Sequence, residues 1–187
     1  MDVVNKGSDE SDVMERRIEA LEDRVQALSL IIGNLTESSG IRVAYPERAT
    51  LEADEYIACS QGFYEIEYDD EGLAYRWTGP SRNFFFWLLI DRSCDKLIEL
   101  RAGQAARQEL LDGLMVFADG IELTTRFEQQ SKHSVIRSIL PHNPIPNPLP
   151  IKLHYSLSTT FTPYALDLSD DIRQLGLTFY RLDVDNA

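Results

Sequence analysis

Two periods divide the chain. From Met14 to Leu35, apolar residues recur at alternating spacings of four and three: Met14, Ile18, Leu21, Val25, Leu28, Ile32 and Leu35. This is the repeat of a helix that lays a narrow apolar stripe against another helix. Ile18, Val25 and Ile32 take the a positions; Met14, Leu21, Leu28 and Leu35 take d. Glu15, Arg17, Glu22 and Arg24 flank the stripe, which suits a coiled-coil seam better than a helix lying on its own domain. Gly33 and Asn34 weaken the helix, and the run Glu37 to Gly40 stops it.

Past residue 40 the helical period disappears. Short runs rich in aromatic and β-branched residues take over: FYEIEY (63–68), LAYRWT (73–78), NFFFWLLI (83–90), KLIELR (96–101), LMVFADGIEL (114–123), IKLHYSLS (151–158) and LGLTFYRLDV (175–184). They have strand length and are separated by turn residues. Asp119-Gly120 predicts a two-residue hairpin, because a type I′ turn needs positive φ at both central residues. The stretch QAARQELLDGL accommodates a short helix. The proline-rich stretch 140–150 cannot be an interior strand and reads as an extended connection. The run FFFWLLI (84–90) is apolar throughout, which predicts a central strand covered on both sides, in part by partner subunits. The predicted architecture is mainly β: an antiparallel, jelly-roll-like β-sandwich over residues 40–187, a coiled-coil helix at 14–39 and a disordered lead at 1–13.

Oligomeric state follows from the heptads. β-Branched a positions with Leu at d suit a dimer. The stretch RIEALE, however, resembles the short signature of parallel trimeric coiled coils, in which Arg17 reaches Glu22 of the partner subunit while its stem covers the seam. A homotrimer is expected, with a dimer as second choice.

The first strand pair raises a question of register. Taking Asp69 to Gly72 as the loop pairs Tyr68 with Leu73. Ile66 then faces Tyr75, Tyr64 faces Trp77, and Glu65 meets Arg76 on the other side. A one-residue slip would set Ile66 against Arg76. The expected result is a cross-strand ion pair between Glu65 and Arg76, which when exposed stabilises by about 0.2–1 kcal/mol.

The formal net charge of −13 disfavours nucleic acid and anionic lipid as partners. The N-terminal residues hold no apolar signal segment, no run is long enough for a membrane helix, and Cys59 and Cys94 form no disulfide framework. A cytoplasmic location follows as an expectation. His133, His142 and His154 lack metal-ligand spacing with the cysteines, and the acidic runs at 69–71 and 169–171 read as turns before they read as calcium loops, so no metal or cofactor is expected. No nucleophile elbow or phosphate loop is present. Glu65 with Asp171 is the one carboxylate pair worth naming for glycoside chemistry, and the overall expectation is a non-enzyme. Trp77, Tyr75, Phe63, Tyr155 and Tyr164 are the aromatics available to a sugar platform, although strand aromatics are more often core.

GFYEIE and YRWTGP, with the later segment FTPYALDLSDDIRQLGLTFYRLDV, carry a resemblance. They are similar to a β-sandwich module that accompanies bacterial glycosyltransferases and polysaccharide-biosynthesis proteins. The matching positions are Gly62, Phe63, Tyr64, Glu65, Arg76, Trp77, Thr78, Gly79, Pro163, Asp171, Arg173, Leu175 and Gly176. They span residues 62–184 and are dense only at the two ends; no glycosyltransferase domain is present. The resemblance implies a non-catalytic module in glycan or envelope biosynthesis that binds saccharide or a glycosyltransferase, with Glu65, Arg76, Trp77, Thr78, Asp171 and Arg173 as candidate binding residues. It also implies that Arg173 lies beside Glu65 and Arg76. The competing expectation is a structural oligomer that organises protein partners, such as an assembly scaffold or the head of a phage-like trimeric fibre.

Overall fold

The structure, a computed structural model, describes residues 45–55, 60–103, 109–130, 133–143 and 150–187. The expected lead (1–13) and coiled coil (14–39), with every heptad residue named above, lie outside the described residues, as does Cys59. In chain order the strands are β1 (Ala49–Glu52), β2 (Ser60–Gln61), β3 (Phe63–Tyr68), β4 (Ala74–Thr78), β5 (Asn83–Leu88) and β6 (Lys96–Gly103). After the short helix α1 (Glu109–Asp112) come β7 (Met115–Ala118), β8 (Ile121–Glu122), β9 (Thr125–Gln129), β10 (His133–Leu140), β11 (Ile151–Ser156) and β12 (Thr178–Asn186). A 3-10 turn, Pro163–Leu166, precedes β12. Among the described residues no helix is long and apolar enough to cross a membrane.

All strand pairs are antiparallel, in two sheets. The larger runs β3-β4-β12-β6-β10-β9, and the smaller runs β2-β5-β11-β7-β8. β1 and β4 share one edge of β12: β4 pairs Thr178 and Phe179, and β1 pairs Arg181 to Val184. The inner faces form one core. Ile98, Leu100 and Ala102 of β6 alternate inward, as do Phe84, Phe86 and Leu88 of β5. The Phe63 ring sits 5.5, 5.2 and 5.4 Å from Phe84, Phe86 and Phe179, and so ties the two sheets together. Each such ring, fully buried, stabilises by roughly 1.5–3 kcal/mol. α1 sits where a short helix was expected, and Leu110, Leu111 and Leu114 join the core. Asp119 and Gly120 take φ of 50° and 81°, as the turn between β7 and β8 requires.

The outer faces differ. The larger sheet carries ion pairs on its outer face: Arg181 with Glu52 of β1 and with Asp183 along β12, and Arg137 with Glu99 of β6 and Glu128 of β9. Exposed pairs of this kind stabilise little, but they keep the face wet. On the smaller sheet, β5 is a central strand as expected, and its outward residues are screened by neighbours within the chain. Phe85 stacks on His154 at 4.5 Å and on Trp87 at 6.0 Å, and Phe117 stacks on the other side of His154. Lys152 Nζ lies 4.5 Å from the Phe85 ring centre and 5.4 Å from that of Trp87. The apolar run continues past the strand end, where Leu89 is exposed and Ile90 is buried.

The expected hairpin register is wrong by one residue. Tyr68 pairs with Ala74, Glu67 with Tyr75 and Ile66 with Arg76. The cause is the loop. Gly72 N–H donates to Asp69 O at 2.9 Å, Asp69 N–H donates to Leu73 O at 3.0 Å, and Gly72 has φ of 78°. That is a three-residue loop with glycine in the left-handed position, so Asp69 and Leu73 close the ladder. Asp69 Oδ1 fixes the turn by accepting from the backbone of Glu71 and Leu73, both at 2.9 Å. Further along, Phe63 pairs with Thr78, so three residues of β3 oppose two of β4: a bulge at Tyr64–Glu65. Glu65 is exposed and makes no ion pair with a described residue. Arg76 instead donates from Nε to Ala53 O at 2.8 Å and from a terminal nitrogen to Tyr64 O at 3.2 Å. Its guanidinium fills the gap where β1 ends and β4 begins, and it satisfies the carbonyl that the bulge turns out of the ladder.

Lys96 is a second polar surprise. It is fully buried at the start of β6, donating to Glu47 O at 3.0 Å and to Asn186 Oδ1 at 2.7 Å. The amine thereby ties the chain before β1 to the end of β12.

Candidate functional site

Four neighbouring strands build a trough on the outer face of the larger sheet. Trp77 of β4 pairs with Thr178 of β12, and His133 of β10 pairs with Gly103 of β6. Gly103 N–H donates to Thr178 Oγ1 at 2.8 Å, which joins the two halves of the row. Small residues in the middle and large rings at the ends leave a hollow. A Cβ on Gly103 would stand 2.0 Å from Thr178 Oγ1 and 3.2 Å from the Tyr180 ring, so glycine is needed there by contact. The open pocket has a volume of about 410 Å³, within the range of small-ligand sites.

Aromatic rings form its walls. Tyr75 stands at 87° to Trp77, with centres 6.3 Å apart, and lies 5.6 Å from Tyr180. Tyr180 meets the His133 ring edge-on at 5.0 Å. Tyr180 is the extra residue of a bulge in β12, where Phe179 pairs with Ala102 but Arg181 pairs with Arg101. The bulge re-aims its ring over the outer face. The β3–β4 loop overhangs one side with Asp69, Asp70 and Glu71. Tyr180 donates to Asp69 Oδ2 at 3.3 Å. The backbone N–H of Leu73 beside Asp69, outweighing partial burial, holds its carboxyl below the ordinary range. Burial, then the Asp69 carboxylate, pushes the Tyr180 hydroxyl up to about 12, so it stays protonated and donating. His133 Nδ1 is buried with no hydrogen-bond partner among the described residues.

An ion chain stands behind the Tyr75 wall. Asp171 grips Arg173 through both of its oxygens, at 2.7–3.1 Å. Arg173 donates to Glu67 Oε1 at 2.8 Å, and Tyr75 donates to Glu67 Oε2 at 3.0 Å. The Asp171 carboxylate, then Glu67, pushes the Arg173 guanidinium pKa up against a smaller opposing effect of burial, and Arg173 holds Asp171 down. Through Glu67 the chain fixes the Tyr75 hydroxyl. Arg173 also lies over the Tyr64 ring, 5.2 Å from its centre.

The expected site residues therefore separate. Trp77 lines the trough. Asp171 and Arg173 orient its wall through Glu67, and the expected neighbour of Arg173 was Glu65, one strand face away. Arg76 and Thr78 are structural: Thr78 is buried, and its Oγ1 accepts from Leu177 N–H at 2.8 Å. Glu65 is exposed, and Asp171 is held by Arg173. Of the five aromatics, Tyr75 and Trp77 reach the trough, Phe63 and Tyr155 belong to the core, and Tyr164 is exposed.

The two dense motifs meet at a backbone junction. Thr78 exchanges hydrogen bonds with Leu177 O and Gly176 N–H, both at 2.8 Å, and Gly79 N–H donates to Gly62 O at 3.0 Å. Tyr64 Oη donates to Gln174 O at 3.1 Å. Tyr64, Thr78 and Gly176 thus hold the β3–β4 hairpin against the segment before β12. Glu67, Thr178 and Tyr180 escaped the sequence reading, and His133 was weighed there only as a metal ligand. Gly103 and Thr178, small residues at outward strand positions, were the available signal. Compared with models of known protein families and with curated proteins, the chain matches none.

Proposed function

We propose that this chain is a non-catalytic, jelly-roll-like β-sandwich module of bacterial glycan or envelope polysaccharide biosynthesis, working in the cytoplasm and binding saccharide in the trough. The observation that carries this reading is the trough itself: rings at right angles, a hydrogen-bonding rim and a fitting volume. Sugars present apolar C–H faces and hydroxyl edges, and an aromatic wall beside carboxylates matches both. The resemblance adds the biosynthetic setting, since Trp77, Asp171 and Arg173 are among its motif residues and bear on the trough. Calorimetric titration with a panel of bacterial oligosaccharides tests the reading. Binding that is lost in Trp77→Ala, with the fold intact by circular dichroism, is the expected outcome. A panel in which nothing binds would refute it.

The second reading, an oligomeric scaffold, is favoured by the outer face of the smaller sheet. Its rings stand parallel and use their faces on one another, leaving edges for a protein surface. Both readings share a trimer held by residues 14–39. Sedimentation equilibrium of the full chain should give a trimer, and Leu21→Asp with Leu28→Asp a monomer. A dimer would refute the trimeric preference. Association that survives the double substitution would shift the interface to the ring face, where Trp87→Glu should dissolve it.

A further inference from the structure

We infer that Lys96 and Asn186 form a self-modification site: the Lys96 amine displaces ammonia from the Asn186 side-chain amide and leaves an isopeptide bond between β6 and β12. The register makes the two residues meet. Lys96 opens β6, Asn186 closes β12, and the antiparallel ladder sets them directly opposite each other. Lys96 is fully buried, on the inward side with Ile98. Its Nζ donates to Asn186 Oδ1 at 2.7 Å and to Glu47 O at 3.0 Å, both neutral oxygens. A carbonyl bond is about 1.23 Å long, so Nζ stands at most about 3.9 Å from the Asn186 Cγ, close to attack distance. Hydrogen-bonded as it is, the ammonium brings a charge into the core, and a buried charge is costly. The amide removes that charge and keeps the two strands tied.

The step balances within the chain. One Nζ proton passes to water by way of Asp91. Hydrogen bonds from Ser93, and then the Lys96 charge, hold that carboxyl below the ordinary range, so it stands ionised within the field of the amine. The freed lone pair attacks Cγ, and the C=O pair moves onto Oδ1. Cys94 Sγ lies 3.2 Å from that oxygen and donates its S–H to the developing charge. As the carbonyl re-forms, the bond to Nδ2 breaks, and Nδ2 takes a second Nζ proton and leaves as ammonia. Asn186 is exposed, so the ammonia is lost to water. Nothing is oxidised or reduced, and the chain gives up one positive charge. Holding amine and amide together supplies the rate that the same groups lack when free in solution.

Mass spectrometry of the full chain, first intact and then digested with trypsin, tests this. The bond makes the chain lighter by one ammonia. It also blocks cleavage after Lys96, so the peptide from Ser93 to Arg101 should appear whole, joined to the peptide that begins at Leu182. Fragmentation should place the branch on Lys96 and Asn186. Lys96→Arg should keep its full sequence mass and give linear peptides, and so should Asn186→Ala. The decisive reading comes from the native chain, so it does not depend on how well either variant folds. Cleavage after Lys96 with no branched peptide, both in fresh protein and after long incubation, would overturn the inference and leave a hydrogen-bonded clasp. An ammonia loss that maps to any other residue would overturn it as well. Neither result touches the trough or its saccharide reading.

Discussion

Arg76→Met should lower the stability of the chain by about 2–5 kcal/mol, while Glu65→Ala should cost under about 1 kcal/mol. The two residues look like partners in the sequence, and a simple ion pair would make the two substitutions cost alike. Arg76 instead donates to two carbonyls, Ala53 O and Tyr64 O. One lies just past β1, and the other is turned out by the bulge of β3. Methionine keeps most of the apolar stem and removes both donors. Each half-buried carbonyl left without a partner costs roughly 1–3 kcal/mol. Glu65 points to water from the bulge and holds nothing among the described residues. Urea unfolding with a common slope measures both. Similar small losses in the two variants would mean that the gap between β1 and β4 can close without the guanidinium.

What the sequence made legible was whatever repeats at short range. The strand-length runs mark β5, β6 and β11, and Asp119-Gly120 announces its turn because both residues tolerate positive φ. The β3–β4 hairpin shows where that reading fails. Counting from the apolar pattern puts four residues in the loop and sets Ile66 against Tyr75. The backbone uses Gly72 as a left-handed closing residue and leaves three. The bulge at Tyr64–Glu65 then brings the register back, so that Phe63 meets Thr78 and its ring enters the core. A bulge has no period, so no count of apolar positions can find it. Lys96 was equally out of reach: its acceptors, Glu47 and Asn186, come from opposite ends of the domain's sequence. The trough was the least legible feature. Trp77, Gly103, His133 and Thr178 come from four strands and become neighbours only through the order β4-β12-β6-β10. The motif pair was visible: Tyr64, Thr78 and Gly176 serve the junction between the hairpin and the segment before β12, while Trp77 lines the trough and Asp171 and Arg173 stand behind Tyr75 through Glu67.

Gly79→Ala should be the most damaging single substitution at that junction, costing more than about 4 kcal/mol and leaving little folded protein. Two effects combine there. Gly79 has φ of 147°, which L-residues rarely adopt. An added Cβ would also stand 2.3 Å from Gln174 O and 2.7 Å from the Tyr64 ring. The first obstacle is backbone, fixed by the hydrogen bonds that Thr78 makes to Gly176 and Leu177, so it cannot step aside. The second ring is pinned by its own hydroxyl on Gln174 O and by Arg173 over its face. Gly72→Ala separates the two effects. Gly72 has φ of 78°, and an added Cβ there meets nothing within 4 Å. Only the conformational penalty remains, about 1–2 kcal/mol. Thermal unfolding of both variants checks the difference. If Gly79→Ala unfolds as gently as Gly72→Ala, the hairpin and the segment before β12 can move apart, and the junction is not what holds Arg173 and Glu67 behind the trough. If the gap between the variants is several kcal/mol, the close approach of the two motifs is the constraint that places Tyr75 and Trp77 at right angles, and the glycine belongs to the site by way of the fold.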